Sequence, residues 1–373
     1  MAKQCTQMHT NSNRFTWRRS AGEGEAIAAS TFRGFVHAAC ILLMKTLLKK
    51  HAFTLWLFAA VGLAVCFPEP ASAGGLLMPE LTTQFGVAVI FFLQGLSLPT
   101  RSLAAGYKPK RLHVFVLSWN YLWFPVVTGL LLVPMSLFLS PDLCVGFWLL
   151  AILPTTVASA IAFTSIAEGD TANAIFSTIF SNLLAVLIVP TIAVAYLASE
   201  TAIEISLASI FVSLARLLVL PLLIGQVVRQ FVVAHAGRIS SATKLVSSGI
   251  IVFIVHAAFA ESVSSGFLNG LTLGSVIAVL VGVVVLLLVT SVLVWVSAAW
   301  LRGTYSQRIA AFFCASQKSL ASGLPLASSI LLAAPGVVDP AAVLIPLICF
   351  HPLQLIFAGV LSERLRQSGG GGH

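Results

Sequence analysis

The stretch "CASQKSLASGLP", Cys314–Pro325, sits between "RIAAFF" (308–313) and "LASSILLAA" (326–334), two runs apolar enough for lipid. It nevertheless carries Ser316, Gln317, Lys318, Ser319 and Ser322 ahead of Gly323 and Pro325. A lysine at the centre of a membrane helix costs about 2.5–3.5 kcal/mol on insertion scales unless it finds a partner, water or a cavity. Its retention needs a physical reason.

The surroundings of that stretch are those of a membrane protein. Of 373 residues, 58% are hydrophobic and only 9% charged, with a mean hydropathy of +0.99. A soluble domain of this length needs far more charge to cover its surface. Apolar runs repeatedly reach the roughly 20 residues a helix needs to cross a bilayer. They lie near 52–67, 81–98, 113–138, 143–167, 171–197, 205–228, 245–260, 274–300, 309–333 and 340–361, and predict an all-α protein of ten membrane spans.

The net charge of +9 is sorted by side, which argues against a nucleic-acid surface. The N-terminal segment holds Lys3, Arg14, Arg18, Arg19, Arg33, Lys45, Lys49 and Lys50. The second loop holds Arg101, Lys108, Lys110 and Arg111, and the sixth Arg229, Arg238 and Lys244. Arg302 and Arg308 lie in the eighth, and Arg364 and Arg366 in the tail. The alternate loops carry only acids, among them Glu69, Glu80, Asp142, Glu261 and Asp339. By the positive-inside rule both termini are expected in the cytoplasm. Two cations are left inside spans, Arg216 and Lys318. The 6 cysteines show neither pairing nor metal spacing, and no zinc or dinucleotide pattern occurs, so no metal or organic cofactor is expected.

Residues 1–50 read as a basic cytoplasmic leader, expected to be disordered or to follow from an upstream start codon; a surface helix or targeting segment is the alternative. Residues 51–367 form the transmembrane body, and 368–373, "SGGGGH", a flexible tail. Ten spans divide into five and five, and two odd-numbered halves insert in opposite orientations, the inverted-repeat plan of many secondary transporters. The fourth span of the first half, "LPTTVASAIAFTSIAEGD", and the fourth of the second, "SQKSLASGLPLASS", both place Pro, Gly, Ser or Thr where a continuous helix prefers Leu or Ala. Pro154, Gly323 and Pro325 are the candidate helix breaks. Unwound backbone at matched positions points to a site near the membrane midplane, because such backbone is tolerated only where protein or a polar cavity covers it.

Around those breaks the candidates for a substrate or ion site are Asn120, Thr155, Thr156, Ser159, Thr178, Ser316, Gln317, Lys318, Ser319 and Ser322. Ordinary helix packing by small polar residues is the competing account of the hydroxyls, and snorkelling to water that of Lys318. The lysine has no obvious membrane carboxylate, since Glu168 and Asp170 lie at a short turn; freed carbonyls, hydroxyls, Asn120 and an anionic ligand remain as partners. Arg216, His351 and Gln354 are weaker candidates, with snorkelling or a structural pair as the alternative for Arg216 and helix packing against a carbonyl for His351. Asn173 and Asn182 are expected to face protein, because an amide wastes its hydrogen bonds in lipid.

The stretches "GVAVIFFLQGLSL", "FVLSWNYLWFP", "IAEGDTANAIFSTIFSNLL", "VLPLLIGQVVRQ", "CASQKSLASGLP" and "ICFHPLQLIFAGVL", in this order over roughly residues 75–365, resemble the bile acid:sodium symporter superfamily, most closely its sodium/bile-acid cotransporter 7 branch. The resemblance implies ten helices in two inverted five-helix repeats. A core of spans 3–5 and 8–10 would move against a panel of spans 1, 2, 6 and 7, and helices 4 and 9 would cross where they unwind. Carried over residue by residue, the sodium ligands of such transporters fall on Asn120, Ser159 and Thr178, while others become Ala160, Ala174 and Leu320. The glutamate shared by both sodium sites falls on Ser316, and Lys318 follows two positions on.

A sodium site in low dielectric gains most from a full negative charge, so this departure argues against sodium coupling and for Lys318 as a built-in cation. A buried lysine can also release its proton, which admits proton coupling. The reading is a secondary transporter for a small organic anion, working by alternating access in a bacterial inner membrane. The alternative is a membrane regulator or scaffold of ion homeostasis that does not transport. An enzyme is not expected, since no paired mid-span carboxylates or nucleophile motifs occur. Oligomeric state is left open.

Overall fold

Prolines near the middle of apolar runs decide where several helices of this chain cannot continue unaltered. In the computed structural model residues 52–97, 108–200, 212–232, 236–333 and 335–369 are described, and none of them is in a strand. The leader 1–50 and the end of the tail lie outside them. The chain divides into a short unit, Met1–Trp56, described only over residues 52–56, and a body, Leu57–His373.

The helices are α1 (Ala52–Cys66), α2 (Pro79–Ser97), α3 (Lys110–Met135), α4 (Pro141–Ile152), α5 (Ala158–Ile166) and α6 (Thr171–Glu200). They continue as α7 (Val212–Val232), α8 (Ala236–Ser264), α9 (Leu273–Ala298), α10 (Tyr305–Ser316), α11 (Leu320–Ala333) and α12 (Pro340–Gly369). Among the described residues six helices, α3, α6, α7, α8, α9 and α12, are long and apolar enough to cross a membrane. The fourth and ninth apolar runs each fold as two short helices, α4/α5 and α10/α11, so neither is one continuous span.

Packing follows from residue size. Gly95 of α2 and Gly225 of α7 lie in a seam so tight that a Cβ on the first would stand 2.1 Å from the Leu222 carbonyl oxygen, and on the second 2.2 Å from that of Phe92. Small residues of this kind let membrane helices approach closely. Gly146 plays the same part between α4 and α12, facing the Ala342 and Val343 carbonyls. At the centre α10 is buried continuously from Ile309 to Ser316, against Leu112, Val116 and Trp119 of α3, Ala160 of α5 and Ala174 of α6. Large apolar side chains face outward instead, among them Leu130 (69% exposed), Leu245 (77%) and Phe231 (83%). An apolar exterior around a core with buried polar groups suits a multi-pass protein in lipid.

Candidate substrate and ion site

The first break is written by Pro154. The residue before a proline is pushed from the helical region to extended backbone, and Leu153 has φ −65° and ψ 151°. The helix therefore stops at Ile152 and its last carbonyls have no intrahelical donor, while the chain resumes as α5 at Ala158. The second break is shorter, Gln317–Ser319, with Gln317 extended at φ −101° and ψ 141°. Ser319 restarts the helix as its N-cap: its hydroxyl accepts from Ser322 N–H at 3.1 Å, and its carbonyl takes the Gly323 N–H at 3.0 Å. Gly323 and Pro325, expected at the break, instead lie inside α11. A proline can be kept within a membrane helix when neighbouring groups satisfy the carbonyl it frees. Gly323 serves the close approach, since a Cβ there would stand 2.3 Å from Leu153 Cδ1.

The two breaks meet. Ser319 N–H donates to the Pro154 carbonyl at 2.8 Å, and Asn182 of α6 braces both sides. Its Nδ2 donates to Thr155 O (2.7 Å) and Thr178 O (2.9 Å), and its Oδ1 accepts from the Ser322 hydroxyl (2.7 Å). Gln94 of α2 reaches Ser322 Oγ from its Nε2 at 3.5 Å.

Lys318 sits at this junction, 1% exposed, and does not snorkel. Its ammonium donates to the carbonyls of Asn120 (3.0 Å), Ala151 (2.7 Å) and Leu153 (2.9 Å) and lies 4.2 Å from the Phe124 ring centroid. The origin of these acceptors is local. Ala151 and Leu153 belong to the negative end of α4 and the extended step after it. Asn120 lies in a π-turn, Trp119–Trp123, where Phe124 N–H bonds back five residues to Trp119 O. The same step from Asn120 falls on Pro125, which has no N–H, so the Asn120 carbonyl is left free for the lysine. Three acceptors around one nitrogen match the three donors of an ammonium. Gln354 of α12 fixes the lysine backbone: its Oε1 accepts from Lys318 N–H (2.8 Å) and its Nε2 donates to Lys318 O (2.7 Å). His351 Nδ1 lies 3.0 Å from that Nε2.

The remaining predicted residues divide clearly. Ser159 donates to Gln317 Oε1 at 2.8 Å and shares a short hydrogen bond with Thr156, so these three join the junction; Thr155 contributes its carbonyl. The Asn120 side chain donates to Ser181 Oγ (3.2 Å) and Cys314 O (3.4 Å), so its backbone rather than its amide meets Lys318. Ser316 is the buried last residue of α10, and the Thr178 hydroxyl turns back to Ile175 O at 3.0 Å. Arg216 is exposed on a π-turn of α7, Ala215–Val219, and shares no hydrogen bond with the junction. Asn120 Oδ1, Thr155 Oγ1 and Gln317 Nε2 are buried without a protein partner. Ser159 is half-buried and Val157 and Ala321 are exposed, which marks the accessible side of the breaks.

Sequence reasoning places Asn182 against protein, as the structure does, but not among the site residues, although it braces both breaks. It also placed Gln354 among weaker candidates, because a glutamine that grips another residue's backbone resembles any other glutamine in the sequence.

A family model described as "SBF-like CPA transporter family (DUF4137)" matches residues 51–367. The chain is 34% identical over 313 residues to the protein PA2026 of Pseudomonas aeruginosa, covering 84% of this chain and 92% of that one. It is 29% identical over 322 residues to sodium/bile acid cotransporter 7 of Mus musculus (85% and 93%) and 29% over 323 to that of Danio rerio (85% and 94%). With its apolar helices, its paired helix breaks and these matches, the chain belongs to the SBF-like CPA transporter family, a family of membrane transporters and not of enzymes.

Proposed function

We propose that this protein is a secondary transporter of a small organic anion in which Lys318 stands in for a coupling sodium ion. The observation that carries the reading is the ammonium itself, buried where two broken helices meet and bonded to three backbone carbonyls. A mobile cation bound there would offset the same carbonyl dipoles; a tethered one does so without leaving. No carboxylate joins the shell, and Ser316 occupies the place expected of a shared sodium-site glutamate. Gln317 Nε2, a buried donor without an acceptor, is available to an anionic group entering past Ser159.

The architecture of the reading is ten spans in two inverted halves. α1, α2, α7 and α8 form a panel, and the remaining helices a core that rocks against it. The polar link from Gln94 to Ser322 then bridges panel and core. Both termini face the cytoplasm, in a bacterial inner membrane. The closing of every Lys318 donor by protein also favours a second reading, a non-transporting regulator whose junction is a structural lock.

A thermal-shift screen of the detergent-purified full chain against a library of metabolite anions, with sodium or choline as the only cation, separates the readings. A saturable shift with an anion, equal in both salts, followed by uptake of that anion into proteoliposomes, is the expected result; repeating the uptake under a pH gradient tests proton coupling. A shift that requires sodium contradicts the tethered-cation reading, and no shift with any anion favours the lock.

A further inference from the structure

Away from the junction, the start of α3 and the turn joining α9 to α10 enclose a cavity of about 410 Å³, lined by residues 109–112, 301–303 and 307. Three of these are cations, Lys110, Arg111 and Arg302, and none is acidic. The pocket lies at the ends of two membrane-length helices, Lys110–Met135 and Leu273–Leu301, and so at the level where lipid meets water. Beside it Trp300 is 82% exposed, an indole at the end of a span where interfacial tryptophans collect.

The helix ends around the pocket differ in what they still offer. The start of α10 is closed by a capping box, with Thr304 accepting from Gln307 N–H and Gln307 reaching back to Thr304 N–H. α3 begins after Pro109 with no side-chain cap, so the positive end of a 26-residue helix faces the cavity beside the arginines. Arg302 is itself held in the left-handed region at φ 48°, an uncommon state for a residue with a side chain.

We propose that this pocket binds the phosphate group of an anionic membrane lipid, with Arg111 and Arg302 as its main donors. A guanidinium presents paired N–H groups that match phosphate oxygens, and basic pockets between membrane helices are suited to anionic head groups. The adjacent exposed tryptophan favours a lipid over a free phosphate, since acyl chains continue along the apolar face where the head group docks.

The test uses the full chain, delipidated in an uncharged detergent and titrated with short-chain phosphatidylglycerol, short-chain phosphatidylcholine or inorganic phosphate while its thermal unfolding is followed. Phosphatidylglycerol is expected to raise the midpoint saturably and phosphatidylcholine not to. The double variant R111Q/R302Q is expected to weaken the apparent affinity for phosphatidylglycerol roughly thirty-fold, from two interfacial charges lost. R111K/R302K, which keeps both charges but not the paired N–H groups, is expected to bind more weakly than wild type and more tightly than R111Q/R302Q. K244Q, which removes an exposed cation on α8, is expected to leave the affinity unchanged. If the double variant unfolds before titration, R111Q and R302Q alone, each roughly five-fold weaker, carry the same test. Equal affinity in wild type and R111Q/R302Q overturns the proposal, as does equal response to both lipids. A response to inorganic phosphate with none to phosphatidylglycerol overturns the lipid assignment.

Discussion

The two breaks differ in what makes them. At Leu153–Val157 the chain must leave the helix, because Pro154 forces its predecessor into extended backbone and cannot itself donate. At Gln317–Ser319 nothing in the local sequence forbids a helix; partners elsewhere hold it open. Gln354 takes both backbone groups of Lys318, and Pro154 accepts from Ser319. One break offers carbonyls and the other brings a charge to them. A locally dictated break can thus template a second that is imposed by tertiary contact.

That asymmetry predicts a ranking. Lys318→Met is the most damaging change, because Asn120, Ala151 and Leu153 all lose their donor; stability is expected to fall by at least ~3 kcal/mol. Chemical denaturation in mild detergent measures it, and an unaltered midpoint removes Lys318 from the account. Gln354→Leu strips both partners from the lysine backbone and is expected to cost about 2–3 kcal/mol. If the second break is held open by contact, amide exchange in α11 accelerates in this variant while exchange in α4 does not. Acceleration equal in both would erase the distinction between the breaks.

Gly323→Ala comes next. Its methyl group would overlap the buried Leu153 side chain, which must repack, at about 1–3 kcal/mol. Retained stability would show that the approach is looser than the distances imply. Ser319→Ala, which removes only the cap of α11, is expected to cost about 1 kcal/mol and to leave α4 and α5 untouched. Differential scanning fluorimetry resolves the ordering of these last two, and a reversed order would assign the junction to the cap rather than to the packing.

How far the sequence revealed this follows from the same contrast. Pro154 announces its break because proline acts on its own neighbours. The second break was expected at Gly323 and Pro325 for the same reason, yet falls a turn earlier, where the cause is Gln354, far along the chain. Lys318 was conspicuous by its charge, but its acceptors are main-chain carbonyls, which no residue type betrays. Pro125 was the legible clue to one of them, since a π-turn ending at a proline must leave a carbonyl free. The polar brace at Asn182 was visible only as an amide in an apolar run. The all-helical, multi-pass character was easier to read, because apolar length acts over whole segments rather than single contacts.

The most direct test is a sodium titration at constant ionic strength, with choline as the replacement, following thermal unfolding of the wild type and of Lys318→Ala. If the ammonium already does a cation's work, the wild type does not respond to sodium. The alanine variant, with three carbonyls around a vacated space, gains stability as sodium rises. A saturable sodium shift in the wild type, or a variant as indifferent to sodium as its parent, would contradict the account.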